Sequence, residues 1–393
     1  MKTKQFYERC QLDDEVARLA GFNPYYPLLG SGLDDPVVIA NHAFIDLASN
    51  NYLGLANDLR VKEAAINGIE KYGVSLCATP VASGYSELFK NVEEALSDFV
   101  DLEETIILPS CYQANNGLFQ VIALPDDLIL VDRDAHSSLM EGIRSASCTF
   151  RLFRHNDMDH LQDLLNRNKC TGQVFVVTES VFSTEGAIAP MDEINTLCNK
   201  YGAIPVVDDS HGIGVIGKNG EGVLSHFSIK DYQGIYTASL GKALSTSGGM
   251  ISGKASLIEY LRYSISHLIY STALPPAPLM AVLEVLSIID NEFSSLSEKM
   301  WRYADQLKKG FTNAGFSMVS SEAPINSIKS GNSVETLILT RKFHELGILT
   351  TPFIYPSVPE KEGRIRLIAG ANLSDVSIEY VLQSITNIQN ILV

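Results

Sequence analysis

Short apolar runs separated by amphipathic segments organise the chain from about residue 58 onward. The segments "RVKEAAINGIEKYG" and "SELFKNVEEALSDFV" carry apolar residues at three- and four-residue spacing, so both are predicted as helices. Five short apolar runs follow: "TIILPS", "DLILVDRDAH", "QVFVVTES", "AIPVVDDSH" and "GIYTAS", each ending in polar residues. Such runs read as strands buried on both faces, and amphipathic segments such as "MDEINTLCNKYG" separate several of them. The alternation predicts an α/β fold, with a mainly parallel central sheet and helices on both faces. A long stretch of helical period, "PPAPLMAVLEVLSIIDNEFSSLSEKMWRYADQLKKGF", leads into a smaller C-terminal α/β domain with strand-like "TLILT" and "RIRLI". The expected organisation is an N-terminal arm over residues 1–50, a large domain over 51–285 and a small C-terminal domain over 286–393.

Composition narrows the partners. Hydrophobic residues make up 46% of the 393 and the mean hydropathy is +0.08, as in folded globular chains. A net charge of −16 disfavours nucleic acid and anionic membrane surfaces, which attract basic faces. The start, "MKTKQFYERCQLDDE", has no apolar signal core, and no apolar run approaches the ~20 residues of a membrane span. Six scattered cysteines without a C-x-x-C pair suggest a reducing compartment; a cytoplasmic location and no metal site are expected.

In parallel sheets, ligands sit beyond the carboxyl ends of the strands. The polar residues there are Ser110, His136, Glu179, Asp208, His211, Ser239 and Lys242. Lys242 is the lone cation in "SLGKALSTSGGM", where small neighbours let backbone and hydroxyls close around a bulky group. Asp208 alone fits a strand-end cap as well as a site carboxylate, and His211 alone fits a turn. Together with Lys242, 34 positions after Asp208, they match the needs of pyridoxal 5′-phosphate. The cofactor's aldehyde needs an amine, its pyridine nitrogen a carboxylate, and its ring hydroxyl a donor. Ser239 is spaced to reach the phosphate, and "PSCYQANNGLF" offers a helix start for the same group.

Eight stretches in order, from about residue 45 to 373, extend this pattern: "ASNNYLGLA", "LPSCYQANNGL", "DRDAHSSLMEGIR", "TESVFSTEGAIAPMDEI", "VVDDSHGIGVIGKNGEG", "TASLGKALSTSGG", "IYSTALPP" and "PSVPEKEGRIRL". In these the chain resembles the α-oxoamine synthase family of fold-type I pyridoxal-phosphate enzymes. The resemblance implies that Lys242 is the Schiff-base lysine, that Asp208 pairs with the pyridine nitrogen and that His211 reaches the ring hydroxyl, with Ser183 supporting that side. It implies that His136 stacks on the ring, and that Cys111, Tyr112 and Ser239 hold the phosphate. Ser271 and Thr272 would reach the phosphate of a second subunit in a homodimer with shared sites. Arg366 would hold the amino-acid carboxylate, with Arg364 as competitor, Ser357 assisting and Asn50 lining the site. The implied reaction joins an amino acid to an acyl thioester of coenzyme A or an acyl carrier protein, loses CO2 and yields an α-aminoketone.

The chain departs from the family in "VSLCATPVASGY", where a run of small residues ending in arginine is usual and Pro80 takes the arginine's place. Phe89 and Leu373 also stand where the family often has histidine. These positions concern substrate entry and the acyl donor, a region in which an autoinducer-synthase branch of the family also departs. Two other readings are an aminotransferase on the same fold and a non-catalytic binding subunit. The second usually lacks the lysine.

Overall fold

The computed structural model describes residues 2–10 and 14–392, with side chains for 5–10 and 14–386. The strands are β1 (Val37–Ile39), β2 (His42–Asp46), β3 (Glu104–Leu108), β4 (Leu128–Asp132), β5 (Thr149–Phe153), β6 (Val174–Glu179), β7 (Ile204–Asp208), β8 (Ile235–Ser239), β9 (Gly249–Gly253), β10 (Ile325–Gly331), β11 (Ile348–Leu349), β12 (Thr351–Phe353) and β13 (Gly363–Ile368). Seven of them form the central sheet in the order β3-β9-β8-β7-β6-β4-β5, and only β9 runs antiparallel to its neighbours. This is the mainly parallel sheet that the sequence predicts.

Alternate residues of each central strand enter opposite cores. Leu128, Leu130, Val176 and Val207 join one apolar cluster, with helices Glu87–Val100 and Met191–Tyr201. Ile129, Val131, Val177 and Val206 join the other, with helices Cys111–Ile122 and Ser137–Ser145. Burial on both faces is why these strands read as continuous apolar runs. The 38-residue helix Pro276–Asn313 crosses helix Leu59–Tyr72 at Gly68, where a Cβ would overlap the Pro276 carbonyl. Further along, it packs Tyr303, Leu307 and Phe311 into a third cluster, under the antiparallel sheet β10-β13-β12.

One local reading needs correction. "TLILT" is not a strand; it lies inside helix Ser333–Glu345. The Asn332 side chain accepts from the Val334 and Glu335 amides while Glu335 reaches back to the Asn332 amide, so a complete capping box starts a helix there. Within residues 1–50, β2 pairs in parallel with β11.

The altered loop of residues 74–85 ends in a π-type turn, Pro80–Gly84, at whose last residue a Cβ would overlap the Ala78 and Thr79 carbonyls. Beyond it Tyr85 donates to the buried Glu93 at 2.8 Å, and Arg262 pairs with the same carboxylate at 3.0 Å while covering the Tyr85 ring. The Ile107 amide also donates to Glu93, tying the loop to β3. Removing this carboxylate strands a half-buried guanidinium, so Glu93→Ala is expected to cost about 3–5 kcal/mol. Thermal melting of the variant checks this, and an unchanged midpoint contradicts it.

Candidate active site

The polar strand ends do converge. Asp208 ends β7, with Glu179 at the end of β6 and Thr237 on β8 as its register partners. The Asp208 carboxylate, 5% exposed, accepts from Asn115 Nδ2 at 2.6 Å and from the Ser210 amide at 3.0 Å. Asn115 also donates to Ser138 Oγ at 3.0 Å and accepts from Thr237 Oγ1 at 2.8 Å. Ser138 in turn holds His136: its amide donates to Nδ1 at 3.2 Å, which makes Nδ1 an acceptor and leaves the hydrogen on Nε2. A continuous chain of hydrogen bonds therefore links the His136 ring to the Asp208 carboxylate. Asn115→Leu is expected to loosen both groups and lower pyridoxal-phosphate affinity by about 10-fold, one lost charge-assisted bond, as read by fluorescence titration.

Lys242 sits in the turn between β8 and β9, facing the same groups. Burial pushes its amine below the ordinary lysine value, and Asp208, Cys111 and Glu179 pull against that shift. The Glu179 carboxyl is pushed well above the carboxylate range, by burial first and then by the Asp208 charge. Burial also lowers His136, and lowers His211 further, where Lys242, Arg366 and His136 add to the effect. Both imidazoles are thus neutral at pH 7. His211 Nδ1 lies 2.7 Å from the Tyr52 hydroxyl in a fully buried pair.

Helix Cys111–Ile122 begins beside these groups, with Cys111 Sγ 3.9 Å from Asp208 Oδ1. Its Ser110 cap accepts from the Gln113 amide, so the first two amides, of Cys111 and Tyr112, point out of the helix without an intrahelical partner. Only glycine at 249 lets β9 pass this helix start, since a Cβ there would overlap the backbone of Ser110 and Cys111. Ser239 ends β8 and its hydroxyl accepts from the Gly241 amide. The Tyr112 hydroxyl turns away to Glu141. Ser271 accepts a 3.4 Å hydrogen bond from Gln113 of its own chain, and Thr272 is exposed.

The two candidate arginines differ in one decisive respect. Arg364 is committed to Glu185 at 2.6 Å, whereas Arg366, 7% exposed, has no carboxylate partner among the described residues. Arg366 donates one hydrogen to the Ser183 carbonyl at 3.1 Å, lies over the Phe353 ring, and leaves Nε buried without a partner. Its charge is felt at Lys242 and His211. Asn50 Oδ1 is likewise buried and unpartnered. Ser183 thus meets Arg366 through its carbonyl, and Ser357 lies on an exposed turn between β12 and β13 with no side-chain hydrogen bond.

Residues 42–385 match the family described as aminotransferase class I and II. The chain is 35% identical over 358 residues to 8-amino-7-oxononanoate synthase of Thermoanaerobacter pseudethanolicus, covering 91% of this chain and 90% of that protein. It is 33% identical to a serine palmitoyltransferase of Bacteriovorax stolpii, covering 87% of this chain and 82% of the relative. The chain belongs to the α-oxoamine synthase family. This is a family of pyridoxal-phosphate enzymes. The fold agrees: serine palmitoyltransferase of Sphingomonas wittichii superposes with a TM-score of 0.91 over 96% of both chains, at 24% identity.

For an α-oxoamine synthase, the sequence alone marks Lys242, Asp208, His211 and His136, which the structure gathers into one cleft. It does not mark Tyr52, Asn115 or Ser138, which act on those residues from 159, 93 and 2 positions away. Asn115 lies within "LPSCYQANNGL", where a polar residue on the buried face of a helix was the available signal. Phe89, standing where the family often has histidine, is 1% exposed and belongs to the large core. Among the described residues no helix is long and apolar enough to cross a membrane.

Proposed function

We propose that this chain is an acyltransferase that condenses an amino acid with an acyl thioester and releases CO2 and a thiol to give an α-aminoketone. The observation that carries the reading is Arg366, a buried guanidinium without a carboxylate partner among the described residues, whose charge is felt at Lys242 and His211. Such a group calls for an anionic substrate, and an amino acid supplies the carboxylate.

The residues fit pyridoxal phosphate. Cys111 and Tyr112 offer two free helix-start amides and Ser239 a hydroxyl to the phosphate, while the bare Gly249 keeps that cradle open. Asp208, held by Asn115 and Ser210, would take the pyridine nitrogen, and His136, its ring fixed by Ser138, would pack against the ring. His211 faces the ring hydroxyl, with Ser183 on the same side. When bound, the cofactor supplies an electron sink for negative charge at the amino acid's α-carbon.

The chain's own groups then do the following. Arg366, over the Phe353 ring, would fix the substrate carboxylate, with Asn50 and Ser357 assigned to that end by the family resemblance. Lys242 Nζ, whose protonation burial disfavours, would hold the cofactor and would then take the α-proton. A bond forms between the α-carbon and the acyl carbonyl carbon as the carbon–sulfur bond breaks. The thiol departs, the carboxylate leaves as CO2, and a proton returns to the α-carbon.

Residues 51–285 form the cofactor domain in this reading and 286–393 the domain that brings Arg366 over it. The active form is a homodimer in the cytoplasm, with Ser271 and Thr272 completing the partner's phosphate site. The loop of residues 74–85, with exposed Val74 and Val81, borders the entrance for the acyl donor, whose carrier is coenzyme A or an acyl carrier protein. The test is the amino acid alone, in deuterated buffer. The expected result is exchange of its α-hydrogen without formation of a keto acid. Stoichiometric keto acid would make the protein an aminotransferase and overturn the reading.

A further inference from the structure

We propose that Tyr52 is a positioning residue for His211: its buried hydroxyl donates to Nδ1, which fixes the ring hydrogen on Nε2 and gives the cleft one directed N–H donor. This rests on the reading that His211 faces the ring hydroxyl of pyridoxal phosphate.

The geometry leaves little choice of hydrogen placement. Tyr52 Oη and His211 Nδ1 are 2.7 Å apart, with the rings perpendicular at 88°. Tyr52 is 0% exposed, and its hydroxyl forms no other hydrogen bond among the described residues. A phenol carries one hydrogen. Were Nδ1 the donor in this pair, that hydrogen would be buried with no acceptor, a costly arrangement. Ionised forms do not offer a way out. Burial raises the Tyr52 phenol and lowers the His211 imidazole, and the charges facing His211 from Lys242, Arg366 and His136 all oppose an imidazolium. Two neutral partners then leave Oη–H···Nδ1, with Nε2–H free of any partner among the described residues.

The hydroxyl is also held in place from outside the large domain. The Ala371 amide donates to the Tyr52 carbonyl at 2.9 Å, and a Cβ on Gly54 would overlap the backbone of Asn372. The turn that carries Tyr52 is thereby clamped to the segment just after β13, the strand of Arg366. One clamp therefore orders both the carboxylate-binding arginine and the histidine's hydrogen.

A donor on the ring oxygen stabilises the form of the bound cofactor in which negative charge is concentrated there, so it lowers the midpoint of the pH titration of the cofactor's visible absorbance. Tyr52→Phe, which keeps the ring in the core, is expected to raise that midpoint by about one pH unit, one lost hydrogen bond to a charged atom. His211→Asn is expected to raise it too, and the double variant no further than His211→Asn, because Tyr52 acts only through His211. Nitrogen-15 NMR of the histidine-labelled holoenzyme should show His211 as the Nε2–H tautomer in the wild type and as a mixture in Tyr52→Phe. An Nδ1–H tautomer in the wild type, an unchanged tautomer in Tyr52→Phe, or additive titration shifts would overturn the proposal. If His211→Asn moves the midpoint and Tyr52→Phe does not, the proposal alone fails. If His211→Asn leaves the midpoint unmoved, the placement of His211 against the cofactor fails, and the proposal with it.

Discussion

Lys242→Ala is expected to reduce turnover by at least ~10⁴-fold, since one substitution removes both the amine that holds the cofactor and the base that takes the α-proton. The fold should survive. Lys242 sits in a turn where burial opposes protonation of its amine, and its side chain belongs to none of the apolar clusters, so alanine removes none of the core. The variant should melt at or above the wild-type temperature while thiol release disappears. The cofactor should still be retained, held through Asp208, His136 and the helix-start amides, but in a form that borohydride no longer fixes to the protein. Turnover near the wild-type rate would remove Lys242 from the mechanism.

Arg366→Lys is expected to raise KM for the amino acid by about 10–100-fold, because an ammonium cannot grip a carboxylate with two parallel hydrogen bonds. The effect on kcat should be smaller, since the proton transfer belongs to Lys242. Arg364→Lys makes the contrast. Arg364 already serves Glu185 at 2.6 Å, so its substitution should lower the melting temperature and leave KM nearly unchanged. Steady-state kinetics of the two variants side by side distinguish the assignments. A KM effect confined to Arg364→Lys would reverse them.

The choice between these two arginines shows where sequence reading stops. In "RIRLI" both alternate on one strand, and nothing local tells which is already paired. Glu185, 179 positions away, decides it. The same holds for Tyr52 and Asn115, whose partners are set by the tertiary fold and leave no periodic trace. The central strands were legible for the opposite reason. β4, β6 and β7 are buried on both faces, so each is an uninterrupted apolar run. β5, at the sheet edge with four of its five residues exposed, carries no such run and was not read. "TLILT" failed through its apolar density, because five residues cannot separate a buried strand from a buried helix. The Asn332 and Glu335 caps just before it carried the missing information. Lys242, Asp208, His136 and His211 were legible because chemistry demands those residue types at strand ends, which topology brings together.

On the proposed reading, the altered loop of residues 74–85 borders the entrance for the acyl donor. Its Pro80–Gly84 turn is braced through Tyr85, Glu93 and Arg262 onto β3.

The central claim is tested most directly by following free thiol and CO2 together, with the purified holoenzyme, acyl-coenzyme A thioesters and acyl carrier protein thioesters of several chain lengths, and glycine, alanine, serine or 2-aminobutyrate. The account requires equal amounts of thiol and CO2, released only when one amino acid and one thioester are both present. Thiol released without any amino acid, or no thiol with every pair, would contradict it.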